Sequence, residues 1–392
     1  MIARAPYLFF LLILLPDLYL DTHYWRHRYS TAKRLLYWMP SLGMTAYTVI
    51  LMYEKNFIPD NPAIIYIYLL LLGLIAIPKM AYVLCSIAGL GGSRLFHRKS
   101  SGRPARNYGN LVGILSVPVI WYIVIYGSFV GFTKLEVNRH TYHSSELPQA
   151  FDGYRIVLFS DAHVGSYNGS RQWILKRAID SINAQRPDMI VFTGDLQNTQ
   201  PSDLYQHQEL LSQLKAKDGV YSVLGNHDYA QYVALDNAGK VANCRETVSL
   251  ERQMGWTLLL NEHRLIDRGK QHIVIAGMEN DGDGKHFPQK GNIQKTLQHV
   301  SDDDFTIMLE HDPSAWRRKI IPDGRAQLTL SGHTHNAQFS IFGWSPLQLT
   351  GREVNGWYEE NGQSLFVTAG LGGLIPFRFG ATGEIVVITL KR

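Results

Sequence analysis

Cysteine is scarce in this sequence, with only Cys85 and Cys244 among 392 residues. Cys85 lies in an apolar run and Cys244 lies far away in a polar segment, which argues against a structural disulfide. Two cysteines also cannot form a zinc knuckle, and they do not indicate whether the protein lies in an oxidising or a reducing compartment. The net charge is only +5 and the basic residues are unevenly placed, which argues against nucleic acid as a partner. No internal repeat or low-complexity tract is present.

Long apolar runs dominate the first third of the chain. Three of them approach or exceed the roughly 20 residues that cross a bilayer, whereas the first is shorter and contains Asp17. A signal peptide is a poor reading of that first run, because only Arg4 precedes it and no small-x-small site follows. Apart from Asp17 and Lys79, the charged residues of this region lie outside the runs, which argues against buried helices of a soluble domain. We predict an all-α transmembrane anchor of about four helices over residues 1–133, formed by runs 6–20, 35–53, 63–84 and 111–132.

Lysine and arginine are concentrated in the first and third connections between these runs. The second connection holds only Lys55, against Glu54 and Asp60. Excess lysine and arginine mark cytoplasmic loops, so the fourth run carries the remainder of the chain to the outer face. We therefore predict a multi-pass protein of the cytoplasmic membrane. The basic residues are Arg26, Arg28, Lys33 and Arg34 in the first connection, and Arg94, Arg98, Lys99, Arg103 and Arg106 in the third.

Two charged residues lie within the apolar runs. In this topology Asp17 and Lys79 both fall toward the cytoplasmic half of their helices, where they could pair. Ionisable groups inside a membrane are functional candidates. Here both are near enough to helix ends to reach the interface, which favours a structural role.

After residue 134 the sequence alternates between strand-like and helix-like segments. The stretch 170–188 places Trp173, Leu175, Ile179 and Ile182 at roughly helical spacing. Such alternation predicts an α/β layered fold with at least part of its sheet parallel. The predicted strands are 155–159, 189–193, 220–224, 272–277, 305–309, 326–330, 364–369 and 384–390.

Five of these strands end in a polar cluster. Ligand sites of α/β sheets gather at the carboxyl ends of strands. The clusters contain carboxylates, an amide and imidazoles but no thiol, a mixture that suits divalent Mn, Fe, Zn or Co. They are Ser160-Asp161-Ala162-His163, Gly194-Asp195, Gly225-Asn226-His227-Asp228, Glu310-His311-Asp312 and Gly332-His333-Thr334-His335.

The ordered series D-x-H, G-D, G-N-H-D, H and G-H-x-H resembles the calcineurin-like metallophosphoesterase family over about residues 150–392. The lead-in LPQAFDGYRIVLFSDAHVG and the ending GLGGLIPFRFGATGEIVVITL are similar to its membrane-attached bacterial branch. Ala162 stands where a bulkier apolar residue is common, but it is not a ligand position. The resemblance implies a layered metallophosphoesterase β-sandwich flanked by helices over 153–392, after a linker or first strand at 134–152.

The resemblance also implies two divalent metal ions bridged by Asp195. Gly332 would let the backbone turn tightly enough to place His333 and His335 on different ions. Two dications and two carboxylates leave the site with a charge of about +2, which attracts phosphate and lowers the pKa of a bound water. The implied ligands are Asp161, His163, Asp195 and His335 for one ion, and Asp195, Asn226, His311 and His333 for the other.

His227 has no metal in this assignment, so it could protonate the leaving oxygen, with Asp228 orienting its ring. The expected activity is hydrolysis of phosphoester or pyrophosphate bonds in a phosphorylated small molecule or lipid, outside the cytoplasmic membrane. Two alternatives stay open. One is a lipid-precursor pyrophosphatase that faces the cytoplasm, against which the basic connections argue. The other is a membrane sensor or transporter with a non-catalytic metal-binding domain, against which the presence of every ligand together with His227 argues.

Overall fold

The computed structural model of the protein describes residues 5–53, 57, 59, 61–96, 106–233, 235–285 and 287–392. The chain divides into two compact units, Met1–Val130 and Gly131–Arg392. The boundary expected from sequence, after residue 133, lies three residues further along. Several charged residues used to orient the chain fall outside the described residues: Glu54, Lys55, Asp60, Arg98, Lys99 and Arg103.

Each of the four apolar runs forms a helix in the first unit. Among the described residues, three helical segments are long and apolar enough to cross a membrane: Thr31–Tyr53, Pro62–Ser93 and Gly109–Thr133. The first helix has only 16 residues and continues into a π-helical turn, Asp21–Trp25. The helices are α1 (Ala5–Leu20), α2 (Thr31–Tyr53), α3 (Pro62–Phe96) and α4 (Gly109–Phe129).

The two charged residues within the apolar runs pair with each other, as expected. Asp17 is fully buried, and the Lys79 Nζ lies 2.9 Å from its Oδ2 and 2.9 Å from the Ser41 Oγ. A buried carboxylate would otherwise carry a large desolvation cost, so this contact makes α1, α2 and α3 mutually dependent. Pro78 cannot donate a hydrogen bond to the Leu74 carbonyl within α3. The Trp121 indole of α4 donates to that carbonyl instead, at 2.9 Å.

The second unit contains two six-stranded sheets. The first has the order β1-β12-β2-β3-β4-β5, and β12 runs antiparallel to β2 while the other neighbours are parallel. The second has the order β10-β11-β9-β8-β7-β6, with antiparallel pairs at both edges. The strands are β1 (Leu135–His143), β2 (Arg155–Phe159), β3 (Met189–Phe192), β4 (Val220–Ser222), β5 (Thr257–Leu258), β6 (Glu262–Arg268), β7 (Gln271–Gly277), β8 (Thr306–Leu309), β9 (Leu328–Ser331), β10 (Gly356–Glu360), β11 (Gln363–Val367) and β12 (Gly383–Lys391).

The two sheets pack face to face and carry helices on their outer faces. Buried residues from both sheets, such as Ile156 and Ile275, share one apolar core. On the outer face of the first sheet, Ile179 of α5 joins a second core. This arrangement confirms the predicted layered sandwich flanked by helices. The helices of this unit are α5 (Gln172–Ala184), α6 (Gln208–Leu211), α7 (Asn237–Gln253), α8 (Ile293–Thr296) and α9 (Ile321–Asp323).

Candidate metal centre

The sandwich brings five strand ends together. Turns after β2, β3, β4, β8 and β9 carry the side chains that the sequence singled out. Two groups form whose potential ligand atoms lie within 4.8 Å of one another, and both include Asp195. Asn226 joins the second group, since its Oδ1 lies 3.1 Å from the His311 Nε2. The groups are Asp161, His163, Asp195 and His335, and Asp195, His311 and His333.

Asp195 belongs to both groups, and its two carboxylate oxygens make different contacts. Its Oδ1 accepts the backbone N–H of His227 at 2.8 Å. Its Oδ2 lies 3.7 Å from the His163 Nε2 and 3.2 Å from the His311 Nε2. One oxygen is therefore fixed by the main chain, and the other faces a ligand from each group.

The imidazole nitrogens face one another in pairs. The Nε2 atoms of His163 and His335 lie 3.2 Å apart, and the His333 Nδ1 lies 3.2 Å from the His311 Nε2. Nitrogens that converge in this way are suited to share a cation between their lone pairs. Carboxylate, imidazole and amide donors match the borderline divalent ions. The residues present therefore fit a metal centre.

The same side chains have an unusual backbone. Left-handed conformations are uncommon for residues other than glycine, and they gather at functional sites. Five residues of the cluster adopt them, with φ between 44° and 72°. They are Asp161, His163, Asp195, His333 and His335.

Gly332 is needed for space rather than for a tight turn. A Cβ at this position would lie 2.1 Å from the Ser160 Oγ and 2.3 Å from the Asp161 Oδ2. Its φ is not positive, whereas His333 and His335 have φ values of 72° and 51°. The expectation that the glycine supplies the turn is therefore wrong: the histidines turn, and the glycine leaves room for the Asp161 carboxylate.

His227 is half-buried at the edge of the cluster, with its ring 4.7 Å from that of His163. Its Nδ1 donates to the Asn198 carbonyl at 2.5 Å. This contact fixes the ring and leaves Nε2 as the nitrogen that can exchange a proton. The predicted partner, Asp228, has a different task.

The Asp228 carboxylate is fully buried and accepts backbone N–H groups. Because its oxygens are used in this way, the prediction that Asp228 orients the His227 ring is wrong. The carboxylate fixes the main chain on both sides of the site instead. The donors are Gly225 at 2.9 Å, Asp195 at 2.8 Å, Leu196 at 3.0 Å and Gln197 at 3.2 Å.

Two further residues contact the cluster, and the sequence analysis assigned no role to either. The Tyr232 hydroxyl accepts the Asn226 amide at 2.8 Å, which points the Asn226 Oδ1 to the other side, and its ring lies 4.3 Å from that of His227. Asp312 lies with Oδ2 3.6 Å from the His333 Nε2. Asp312 follows His311 directly and belongs to a polar strand end, which is a usable signal, whereas Tyr232 follows no recognisable motif.

Burial lowers the pKa of His163, His333 and His335, the last to about 4. Burial also disfavours charge at Asp195 and His311, but their mutual attraction is stronger. The pKa of Asp195 therefore lies well below its ordinary value, and that of His311 rises to about 10. Three neutral imidazoles and one carboxylate are thus available near neutral pH. His311 carries an extra proton, which a bound metal ion would displace.

Comparisons with known proteins match two regions of this chain. Residues 154–337 match the family model described as calcineurin-like phosphoesterase. Residues 2–132 match a second model, described as a probable calcineurin-like phosphoesterase, transmembrane domain. The site cluster lies within the first match, and the four apolar helices lie within the second.

Three relatives illustrate the range of the similarity. An uncharacterised metallophosphoesterase, YkuE of Bacillus subtilis, is 34% identical over 282 residues, covering 68% of this chain and 89% of that protein. A transmembrane protein with metallophosphoesterase domain from Danio rerio is 29% identical, covering 71% of this chain and 62% of that protein. The UDP-2,3-diacylglucosamine pyrophosphatase LpxG of Chlamydia muridarum is 25% identical, covering 71% and 95%.

The chain therefore belongs to the calcineurin-like metallophosphoesterase family. It is a membrane protein that joins a metallophosphoesterase domain to a transmembrane domain.

Proposed function

We propose that this protein is a membrane-anchored phosphohydrolase with two divalent metal ions, acting on an envelope or lipid-linked phosphate outside the cytoplasmic membrane. The observation that carries the proposal is the sharing of Asp195 by two groups of potential ligands. A carboxylate between two cations offsets their repulsion, which no neutral ligand can do.

Each side chain has a defined part in this proposal. Asp161, His163 and His335 would hold one ion with Asp195, and Asn226, His311 and His333 would hold the other. Two bound divalent ions supply an activated hydroxide and stabilise the charge of the reacting phosphate. The Asp195 Oδ1 accepts the backbone N–H of His227, which would leave Oδ2 as the oxygen available to the ions.

His227 is the proposed general acid. Its Nδ1 proton is held by the Asn198 carbonyl, so the Nε2 proton is the one that can pass to a leaving oxygen. The ring lies 4.3 Å from that of Tyr232 and 4.7 Å from that of His163. Contact with two neighbouring rings limits rotation, which suits a group that must meet the leaving oxygen in one orientation.

The decisive experiment is Asp195→Asn. An amide cannot serve both contacts, because its nitrogen would face either the His227 N–H or the metal ligands. We expect at least one ion to be lost and hydrolysis of aryl phosphates, nucleotides and lipid phosphates to collapse, while circular dichroism stays unchanged. The control is Asp180→Asn, whose side chain is 57% exposed and pairs with Lys176. Two bound ions and normal turnover in Asp195→Asn would contradict the two-metal proposal.

A second candidate is a lipid-precursor pyrophosphatase facing the cytoplasm. The relative named UDP-2,3-diacylglucosamine pyrophosphatase supports it, because that name describes a lipid-linked pyrophosphate. Both candidates share one chemistry and differ in the side of the membrane. The excess of lysine and arginine in the connections at 21–34 and 92–110 supports the outer face for the catalytic domain.

Cysteine labelling distinguishes the two sides. In a chain with Cys85→Ser and Cys244→Ser, Lys176→Cys places a thiol on an exposed face of α5, and Ser30→Cys places one in the first connection. For the outer-face proposal, an impermeant maleimide should label position 176 in intact spheroplasts and position 30 only after lysis. The reverse pattern would establish the cytoplasmic alternative.

A further inference from the structure

Exposed apolar side chains are concentrated in two short segments of the second unit. In the part of residues 131–392 that the structure describes, twelve large apolar side chains are exposed, and six of them belong to segments 341–349 and 374–375. We call these six the apolar rim. They are Ile341, Phe342, Trp344, Leu349, Leu374 and Ile375.

Hydrogen bonds join the two segments to each other's neighbourhood and to the metal centre. The Gln338 amide donates to the carbonyls of Ile375 at 3.0 Å and Phe377 at 2.6 Å. Gln338 lies three residues after His335. Gly372 lies two residues before the other segment, and its N–H donates to the Asp161 carbonyl at 2.9 Å. Each half of the rim is therefore attached within a few residues to a proposed metal ligand.

The turn at residues 341–344 of the rim has a backbone conformation that packing does not explain. Ile341 and Trp344 exchange backbone hydrogen bonds of 2.9 and 3.0 Å across a tight turn. Its central residues, Phe342 and Gly343, have φ of 51° and 80°. Such turns favour asparagine and glycine, whereas a bulky side chain with positive φ is an outlier. Phe342 nevertheless occupies this position with a relative exposure of 106%, so its ring contributes no buried contact to the fold.

The rim also lacks charge. No lysine, arginine, aspartate or glutamate occurs from Asn336 to Gly351. Arg378, three residues after the other segment, is fully buried and donates to main-chain carbonyls, including that of Ala369 at 2.8 Å. An uncharged surface with phenylalanine, tryptophan and leucine side chains matches the boundary between lipid headgroups and acyl chains. Exposed apolar patches of this kind mark interaction sites.

We propose that the apolar rim inserts into the lipid bilayer, with Phe342 and Leu349 in the acyl-chain region. The bilayer is favoured over a protein partner because the same chain carries a transmembrane domain, which keeps a bilayer at high effective concentration. Insertion would bring the metal centre close to phosphates at the membrane surface. The inference deepens the proposed function and rests on it for the lipid-linked nature of the substrate.

Depth of immersion can be measured without reference to activity. The full chain, with Cys85→Ser, Cys244→Ser and Phe342→Cys, is labelled with a nitroxide and reconstituted into vesicles of phosphatidylethanolamine and phosphatidylglycerol. Collisions with oxygen should exceed those with a water-soluble nickel complex at position 342. Leu265→Cys is the matched control, because Leu265 is 51% exposed on β6 and lies outside the rim. A label at 342 that is as accessible to nickel as the label at 265 would overturn the proposal.

Substrate preference provides the second test. The double variant Phe342→Ser/Leu349→Ser should lose at least about tenfold of its hydrolysis of a vesicle-embedded lipid phosphate, the effect of roughly one fully buried apolar side chain. Hydrolysis of a soluble aryl phosphate should not change, and Leu265→Ser should alter neither.

The remaining outcomes are also informative. An equal loss on both substrates would overturn the proposal, since the rim would then support the catalytic centre. Magnetic coupling between labels on two chains would overturn it in favour of self-association. A wild-type protein that hydrolyses no phosphate would refute the proposed function, while the nitroxide measurement would still decide whether the rim enters the bilayer.

Discussion

The Asp228 carboxylate is the contact whose removal should have the clearest consequence for stability. Its Oδ2 accepts the N–H groups of Gly225 and Asp195, and its Oδ1 accepts those of Leu196 and Gln197. Asp228→Asn keeps the shape of the side chain but replaces one oxygen by an NH₂ group. In either amide orientation, two buried N–H donors then face a donor instead of an acceptor.

The size of the effect follows from those two donors. A buried polar group without a partner costs about 1–3 kcal/mol, so the variant should lose about 2–6 kcal/mol of unfolding free energy. A folded domain has about 5–15 kcal/mol in total. For a domain of this size, the unfolding temperature should fall by roughly 4–24 °C, at about 2–4 °C per kcal/mol. Because the loosened backbone carries Asp195, metal occupancy should fall as well.

Thermal unfolding of the catalytic domain in the full chain, together with metal analysis of the same samples, tests this reasoning. Asp180→Asn is the control, since its side chain is 57% exposed and its change should be close to zero. If Asp228→Asn unfolds at the wild-type temperature with full metal content but shows a lower kcat, the structural account is refuted. The role of orienting His227 would then have to be reconsidered.

Three other predictions concern His227, Gly332 and His207. His227→Asn should keep its metal content and lose about 10²–10⁴-fold in kcat. The loss should be smaller for aryl phosphates, because their leaving groups need little protonation. Equal losses across leaving groups would contradict an acid role. Gly332→Ala should release metal, because the added Cβ would lie 2.3 Å from the Asp161 Oδ2. A metal content equal to that of the wild type would contradict this. Burial lowers the pKa of His207 to about 4, so the wild type should lose stability as pH falls below about 6.5 toward 4. His207→Gln should flatten that loss in denaturation curves at pH 7 and 5, and an unchanged slope would contradict the assignment.

The strands that the sequence predicted are those that are buried. All eight predicted strands are present, because apolar runs bounded by turn residues leave little choice of structure. The strands that went unpredicted, such as β6 and β10, lie at sheet edges and are partly exposed. Their sequences contain charged residues, and pairing with a neighbour stabilises them more than local preference does. The position of β1 beside β12 depends on contact between distant parts of the chain, which no local pattern contains.

The cluster was predictable for a similar reason. Within each sheet, parallel strands bring their carboxyl ends to one edge, so the polar residues after β2, β3 and β4 had to meet, and so did those after β8 and β9. The roles of individual groups were less predictable. The partner of the His227 Nδ1 is the Asn198 carbonyl, and a main-chain carbonyl leaves no trace in the sequence. Asp228 follows His227 directly in the chain, but proximity in sequence did not indicate that its oxygens accept backbone donors.

Gly332 leaves space for a carboxylate, whereas the histidines beside it form the turn, so the backbone conformation and the metal ligands of this segment depend on each other. Aspartate, asparagine and histidine adopt the left-handed region more readily than other residues with a Cβ. They also supply the oxygen and nitrogen ligands that divalent ions prefer. Asp161, His163, Asp195 and His333 can therefore form tight turns and present ligand atoms at the same positions. Glycine is then required where a second strand end approaches a carboxylate, so substitutions there should act on metal binding through crowding rather than through backbone strain.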